Sequence, residues 1–150
     1  MKRAILLAYL IGALVVPSLA GEQGRAVKQL RFPNGAGMVV VAEGDLEPRS
    51  IGSYALRVYS SARPDFPFDD FVTGVIRPRD GVVEDVRFAD VDGDGSPEIV
   101  VIIRSAGSGG YLSADGFRFR DNELILVASV SGLEPSQDPI QALHRKIKRR

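Results

Sequence analysis

The chain has 150 residues, and it contains no cysteine and only one histidine. Without cysteine it forms no disulfide framework and offers no thiolate ligand to a metal ion. The stability of the folded chain must therefore come from the packing of an apolar core, and a chain of this length is long enough to bury one.

An excess of charge of one sign is also missing. The chain has 19 Lys and Arg residues against 19 Asp and Glu residues. Two of the basic residues lie in the first 20 positions, so residues 21–150 carry a net charge of −2. This near-neutral balance argues against general binding of nucleic acid.

Beyond residue 20, no apolar run is long enough to be embedded in a membrane. Residues 1–20 combine a basic start, an apolar stretch from Ala4 to Val16 and small residues at Ser18 and Ala20, which is typical of a secretory signal peptide. A membrane anchor is the alternative, but the stretch is shorter than the roughly 20 apolar residues that span a bilayer. We expect cleavage after Ala20 and a soluble periplasmic chain that forms one domain over residues 21–150.

Short apolar or alternating runs fill most of the remaining chain, and Gly, Pro, Asn and Asp separate them. This spacing predicts a mainly β protein, an antiparallel sheet or flattened β-sandwich. The predicted strands are Ala26–Phe32, Gly37–Ala42, Tyr54–Ser60, Phe71–Ile76, Val83–Ala89, Pro97–Arg104, Tyr111–Arg120 and Leu124–Val130. The predicted turns are Pro33–Gly35, Arg79–Gly81, Asp92–Gly95 and Asp121–Asn122.

Two of these strands carry patterns that predict their surroundings. Pro97–Arg104 is apolar at nearly every position, so we expect it to be central and covered on both faces. In the strand before it, Val86 and Phe88 should face one side, and Asp85 and Arg87 should face the other. That alternation predicts a sheet with one face partly in solvent.

One short helix is predicted near the C-terminus. Ser136 or Asp138 is a suitable N-cap, and Pro139 suits the first turn. The apolar residues of this segment share one face: Ile140, Leu143 and Ile147. The basic tail after them suits a helix C-terminus.

The most distinctive segment is the glycine-rich stretch Ser105–Asp115, which directly follows the most apolar strand. Three glycines in four positions frame Ser108, and Tyr111 comes next. Glycine allows positive φ and close approach of the backbone to a partner. A loop of this kind on a rigid strand presents its side chains. We interpret Ser108, Gly109, Gly110 and Tyr111 as a partner-binding site.

A second candidate site is the Asp/Gly turn at Asp90–Glu98. Its oxygens stand at positions 1, 3, 5 and 9 of a calcium-type loop, and Gly95 stands at position 6. Position 12, where an EF-hand needs a bidentate acid, is Val101. The turn is therefore expected to be structural first, with no cofactor. A calcium ion is the less favoured alternative, and its ligands would be Asp90, Asp92, Asp94 and Glu98.

Catalytic interpretations of these residues are weak, and we expect a protein that is not an enzyme. The glycines around Ser108 superficially match a nucleophile elbow, but that elbow needs a following helix, and a strand is predicted here. The only candidate base, His144, lies on the predicted C-terminal helix. The glycine-rich loop also lacks the Lys-Ser/Thr of a phosphate-binding loop.

Three segments together resemble the periplasmic inhibitors of invertebrate-type (I-type) lysozyme: Gly52–Tyr59, Asp90–Gly95 and, above all, Ser105–Ser113. The resemblance runs from about residue 50 to the helix near Leu143. It implies an exported, mostly antiparallel β protein, often a homodimer, that counters a host lysozyme by pushing a loop into the active-site cleft. The key Ser and Tyr of that loop are matched by Ser108 and Tyr111.

Two other functions stay open, the first of them implied by a resemblance. Inhibition of another lysozyme class is related, since those inhibitors also offer a Ser and a Tyr from β loops. A calcium-stabilised adhesion or carbohydrate-binding module of the cell envelope is the rival of a different class.

Overall fold

The computed structural model describes residues 27–149, which form two four-stranded antiparallel sheets and one helix. The signal peptide predicted over residues 1–20 and its cleavage site lie outside this range. The elements are β1 (Val27–Arg31), β2 (Gly37–Glu43), β3 (Ile51–Ser60), β4 (Phe71–Asp80), β5 (Val82–Ala89), β6 (Glu98–Arg104), β7 (Leu112–Arg120), β8 (Glu123–Leu133) and α1 (Pro139–Lys148). Strands β1–β4 form the first sheet and β5–β8 the second, each in chain order. The predicted mainly β fold with one short C-terminal helix is confirmed.

The main core lies between the two sheets. Because side chains alternate along a strand, alternate residues of the central strands point into this layer. From the first sheet it contains Val39, Val41, Tyr54, Leu56 and Val58, and from the second Val83, Val86, Ile99, Val101, Ile103 and Phe117. A bulge between Val83 and Asp85 brings both Val83 and Val86 inward.

Strand β6 is central in the second sheet and is covered on both faces, as its sequence predicts. Val101 points into the main core, while Val100 and Ile102 point to the opposite face. Helix α1 covers that face with Leu143, which is fully buried. Strand β6 is therefore a rigid support for the loop that follows it.

Helix α1 begins as the sequence indicates. Asp138 is the N-cap, and its Oδ1 accepts a hydrogen bond of 2.8 Å from the backbone N–H of Ile140. Pro139 occupies the first turn. The predicted alternative cap, Ser136, is not used.

The fourth strand is longer than predicted, which corrects the turn expected at Arg79–Gly81. Strand β4 continues to Asp80, and only Gly81, with φ 112°, separates it from β5. Pro78 is tolerated because β4 is an edge strand. The sequence predicts Arg79 to be a turn residue. Its side chain is instead fully buried and donates hydrogen bonds to backbone carbonyls.

Two buried polar contacts join the sheets. The hydroxyl of Tyr54 donates to Oδ2 of Asp115 at 2.6 Å, and the backbone N–H of Val83 donates to Oε1 of Glu43 at 2.6 Å. Burial and the neighbouring Asp115 charge raise the pKa of Tyr54, so it stays protonated.

Within residues 27–149, no helix has the length and apolar character needed to cross a membrane.

Candidate functional site

The glycine-rich loop lies at one end of the second sheet, between β6 and β7. Here it is called the 105–111 loop, because β7 begins at Leu112, one residue later than predicted. The backbone N–H of Ser105 donates to the carbonyl of Tyr111 at 2.8 Å, directly beyond the Arg104–Leu112 pair of the ladder. The loop therefore leaves and re-enters the sheet through adjacent, hydrogen-bonded positions.

The tip of this loop is a tight turn that exposes Ser108. The backbone N–H of Gly110 donates to the carbonyl of Gly107 at 3.1 Å, so Ser108 and Gly109 occupy the two corners. Gly110 has φ 56°, a conformation that side chains disfavour. The Ser108 side chain is exposed at the corner.

Tyr111 is 44% exposed, and its ring lies over the backbone of Gly109. A Cβ placed at residue 109 would come within 2.8 Å of Cδ2 of that ring, a distance that real Cβ atoms essentially never show. Gly109 thus leaves the space that the Tyr111 ring occupies, and the position of the ring depends on the absence of a side chain at residue 109.

The base of the loop is held by Arg104, a residue that the sequence analysis did not single out. Its Nη1 donates to the carbonyl of Gly110 at 2.9 Å, and its Nη2 donates to Oε1 of Glu84 at 2.8 Å. The hydrogen bond to Glu84 raises the pKa of Arg104 above its ordinary value. The only sequence signal for this role is a charged residue at the end of an apolar strand.

The Asp/Gly turn lies at the opposite end of the same sheet, between β5 and β6. Both oxygens of Asp90 accept backbone hydrogen bonds, from Gly93 at 2.6 Å and from Gly95 at 3.0 Å. Oδ1 of Asp94 accepts from the N–H of Ser96 at 2.7 Å. These bonds stabilise the turn from within, as expected of a structural Asp/Gly turn.

Arg118 of β7 lies against the acidic groups of this turn. Of the four ligands of the less favoured calcium alternative, Asp90, Asp92 and Glu98 offer oxygens within 4.8 Å of one another. The Arg118 guanidinium contacts Asp92, and its Nε lies 3.4 Å from Oε1 of Glu98. The Arg118 guanidinium therefore supplies a positive charge to the Asp/Gly turn. The sequence of the turn gives no indication that β7 contributes this residue.

Glu98 is almost completely buried, and its Oε2 accepts a hydrogen bond of 3.0 Å from the N–H of Val91. Burial raises the pKa of this carboxyl above its ordinary value.

The structure separates Ser108 from His144. Nδ1 of His144 lies 3.0 Å from the carbonyl oxygen of Val91, in the Asp/Gly turn. Ser108 lies at the other end of the second sheet, beyond β6. The two residues are therefore not placed as a nucleophile and its base, in agreement with the sequence analysis.

A family model described as periplasmic lysozyme inhibitor of I-type lysozyme matches residues 24–147. A crystal structure of such an inhibitor from Aeromonas hydrophila, PliI-Ah, is 48% identical; the match covers 79% of this chain and 98% of that chain, with a TM-score of 0.72. A structure of Aeromonas hydrophila PliI in complex with Meretrix lusoria lysozyme is 47% identical and covers 79% and 94% of the two chains, with a TM-score of 0.72. A comparison with curated proteins gave no match.

Proposed function

The chain belongs to the family of periplasmic inhibitors of I-type lysozyme, and we propose that it blocks such a lysozyme by inserting the 105–111 loop into the active-site cleft. The observation that carries this proposal is the loop itself. Ser108 stands exposed at its corner, Tyr111 stands beside it, and β6 and Arg104 hold the base in place.

The chemistry of the loop suits the cleft of a lysozyme. Glycoside hydrolases of this kind place two carboxyl groups on either side of the bond that they cleave. A Ser108 hydroxyl donates a hydrogen bond to a carboxylate, and Tyr111 adds apolar area with a polar tip. The neighbouring glycines keep the loop narrow enough to enter a groove.

The rigidity of the loop supports inhibition as well. The unbound chain already contains the hydrogen bond between Ser105 and Tyr111 and the turn at the tip of the loop. It also contains the hydrogen bond from Arg104 to the carbonyl of Gly110. A loop that is already ordered loses little conformational entropy when it binds, so more of its contact energy appears as affinity.

Export and assembly complete the proposal. The mature protein starts at Gly21 in the periplasm, and mass spectrometry of the periplasmic fraction tests this start. The protein forms a homodimer, and Phe71 and Ile76, which are exposed on the outer face of the first sheet, offer an apolar surface for it. Light scattering at micromolar concentration would reveal a monomer if this part is wrong.

Competition tests whether the cleft is the binding site. The protein is titrated into the I-type lysozyme of Meretrix lusoria with and without a saturating chitin oligosaccharide, which occupies the cleft. We expect the oligosaccharide to raise the apparent Kd by the factor 1 + L/K, where L is the free oligosaccharide concentration and K is the dissociation constant of the oligosaccharide itself. Binding that is unaffected by the oligosaccharide, or no inhibition of the lysozyme, would contradict the proposal.

A further inference from the structure

A cavity of about 380 Å³ lies at the end of the sandwich away from the 105–111 loop. Three connections meet there: the turn between β1 and β2, the last residues of the Asp/Gly turn, and the turn between β7 and β8. The volume of the cavity is within the range of sites that hold small molecules.

The direction of β2 shows which end of the sandwich this is. β2 runs from the β1–β2 turn to the 44–50 loop, which connects β2 to β3. The carbonyl of Ser50 in that loop accepts a hydrogen bond of 2.8 Å from the N–H of Gly81, and a Cβ at residue 81 would come within 2.7 Å of Cα of Ser105. The 44–50 loop and the 105–111 loop therefore share one end, and the cavity lies at the other.

The floor of the cavity is aromatic. Phe32 and Phe119 are half-buried and both line it, with ring centroids 5.3 Å apart. Phe32 also packs against Phe88 at a centroid distance of 5.2 Å, so the rings close the end of the main core. Pro33 and Pro97 add apolar surface beside them. The floor thus offers ring faces on which a flat molecule can stack.

The rim of the cavity is polar and carries no net charge. Asn34, Ser96 and Asn122 each bring a hydrogen-bond donor and an acceptor. Arg120 and Asp121 complete the rim, and Nε of Arg120 lies 3.6 Å from Oδ2 of Asp121, so their charges balance. Such a rim favours a neutral ligand with several hydroxyl or amide groups over an ionic one.

The β7–β8 turn brings two polar side chains to this rim in a backbone conformation that glycine adopts more easily. Asp121 has φ 52° and Asn122 has φ 63°, and within residues 27–149 they are the only residues other than glycine with positive φ. A two-residue hairpin turn of this kind favours glycine at its second position. The turn alone therefore does not require the carboxamide of Asn122, which is available to the cavity.

We propose that this cavity binds a neutral N-acetylated sugar, one N-acetylhexosamine unit of a glycan. One face of a pyranose ring consists of C–H groups that pack on an aromatic ring, and its hydroxyl groups lie around the edge. The acetamido group adds a methyl group for the apolar floor and an amide that pairs with a carboxamide such as that of Asn122.

The periplasm holds a glycan of this chemistry, because the bacterial cell wall is built from N-acetylhexosamines. The same polymer is the substrate of lysozymes. A chain that holds the wall glycan at one end and presents the 105–111 loop at the other is concentrated at the substrate of the enzyme that it blocks. This consequence rests on the proposed function, whereas the sugar site does not.

The first test follows the backbone amide chemical shifts of the protein, without lysozyme, during titration with chitotriose. We expect saturable shifts at Asn34, Ser96 and Asn122 and none in the 105–111 loop. Cellotriose, which carries hydroxyl groups in place of the acetamido groups, should bind roughly tenfold more weakly. An absence of saturable shifts, shifts confined to the 105–111 loop, or equal binding of the two sugars would overturn the proposal.

Asn122→Gly tests the site without endangering the fold, because glycine suits a φ of 63°. We expect it to weaken chitotriose binding roughly tenfold and to change the melting temperature little. Glu123→Gln is the matched control, since Glu123 is the next residue, is exposed and does not line the cavity. Chitotriose binding that Asn122→Gly leaves unchanged would contradict the proposal.

Cosedimentation with purified cell-wall sacculi identifies the source of the sugar. Retention of the unchanged protein, reduced by Asn122→Gly, would assign the site to the wall glycan, and chitotriose binding without retention would assign it to free oligosaccharides. The sugar site and the inhibitory loop fail separately in these assays. Ser108→Ala should keep chitotriose binding, and Asn122→Gly should keep lysozyme inhibition, also in the competition with chitin oligosaccharide.

Discussion

The ring of Tyr111 rests on the backbone of Gly109, where a Cβ would come within 2.8 Å of the ring carbon Cδ2. Between them lies Gly110, whose φ of 56° turns the chain so that the ring folds back over the loop. The aromatic group is therefore presented in one orientation, next to the exposed Ser108. The glycines of this loop set the direction of its side chains as well as its width.

Gly109→Ala should displace the Tyr111 ring and weaken inhibition, because the added methyl group needs the space that the ring occupies. We expect an increase of about tenfold in the inhibition constant, which corresponds to about 1.4 kcal/mol. The melting temperature should change little, since the loop is exposed. Gly107→Ala is the control, because the nearest atom to its added Cβ is the Ser105 hydroxyl oxygen at 3.5 Å. Equal inhibition by the two variants would show that the position of the ring does not matter.

The strands and the helix were predictable because their signals are local. The alternation at Val86 and Phe88, the apolar run of β6 and the cap at Asp138 each act within a few residues. The exposed positions of Ser108 and Tyr111 followed from the same kind of signal, since glycines at a strand end favour a presenting loop.

The contacts missed by the sequence analysis are long-range. Arg118 reaches the Asp/Gly turn from β7, and Arg79 is buried against the carbonyls of the 44–50 loop. The order of the strands in space determines both contacts, and a single sequence does not contain that order. The same reason explains β4, in which Arg79 was interpreted as a turn residue.

Calcium should have little effect on stability, because Arg118 already balances the carboxylates of the Asp/Gly turn. We expect less than a degree or two of change in melting temperature between excess calcium and excess chelator. If the turn bound calcium, a free calcium concentration one hundred times the Kd would instead add about 2.7 kcal/mol to the free energy of unfolding. A chelator-induced drop of many degrees that Asp94→Ala abolishes would show that the turn binds the ion.

Arg118→Ala should destabilise the fold by about 2 kcal/mol or more, because it leaves the buried Glu98 carboxylate without its nearby cation. Arg120→Ala is the control on the same strand, since Arg120 is exposed and pairs with the exposed Asp121. Urea unfolding measures both variants. Equal stability of the two would mean that Arg118 does not hold the turn.

The pH dependence of stability should carry a contribution from Glu98. Burial raises its pKa in the folded chain above the ordinary glutamate value of 4.5. The folded state therefore binds the proton first, and ionisation of Glu98 lowers stability as the pH rises through the folded pKa. Relative to Glu98→Gln, the unchanged protein should gain stability as the pH falls from 7 towards 4.5. A difference that stays constant or shrinks over this range would contradict the assignment.

The most direct test of the inhibitory loop is the inhibition constant against an I-type lysozyme for the unchanged protein, Ser108→Ala and Tyr111→Ala. We expect Tyr111→Ala to cost about 2 kcal/mol or more, near thirtyfold, since it removes a large amphipathic anchor. Ser108→Ala should cost roughly 1.5–3 kcal/mol if the hydroxyl meets a buried charged group. Both variants should keep the melting temperature of the unchanged protein. Inhibition that survives both substitutions at full strength would contradict the loop as the inhibitory site.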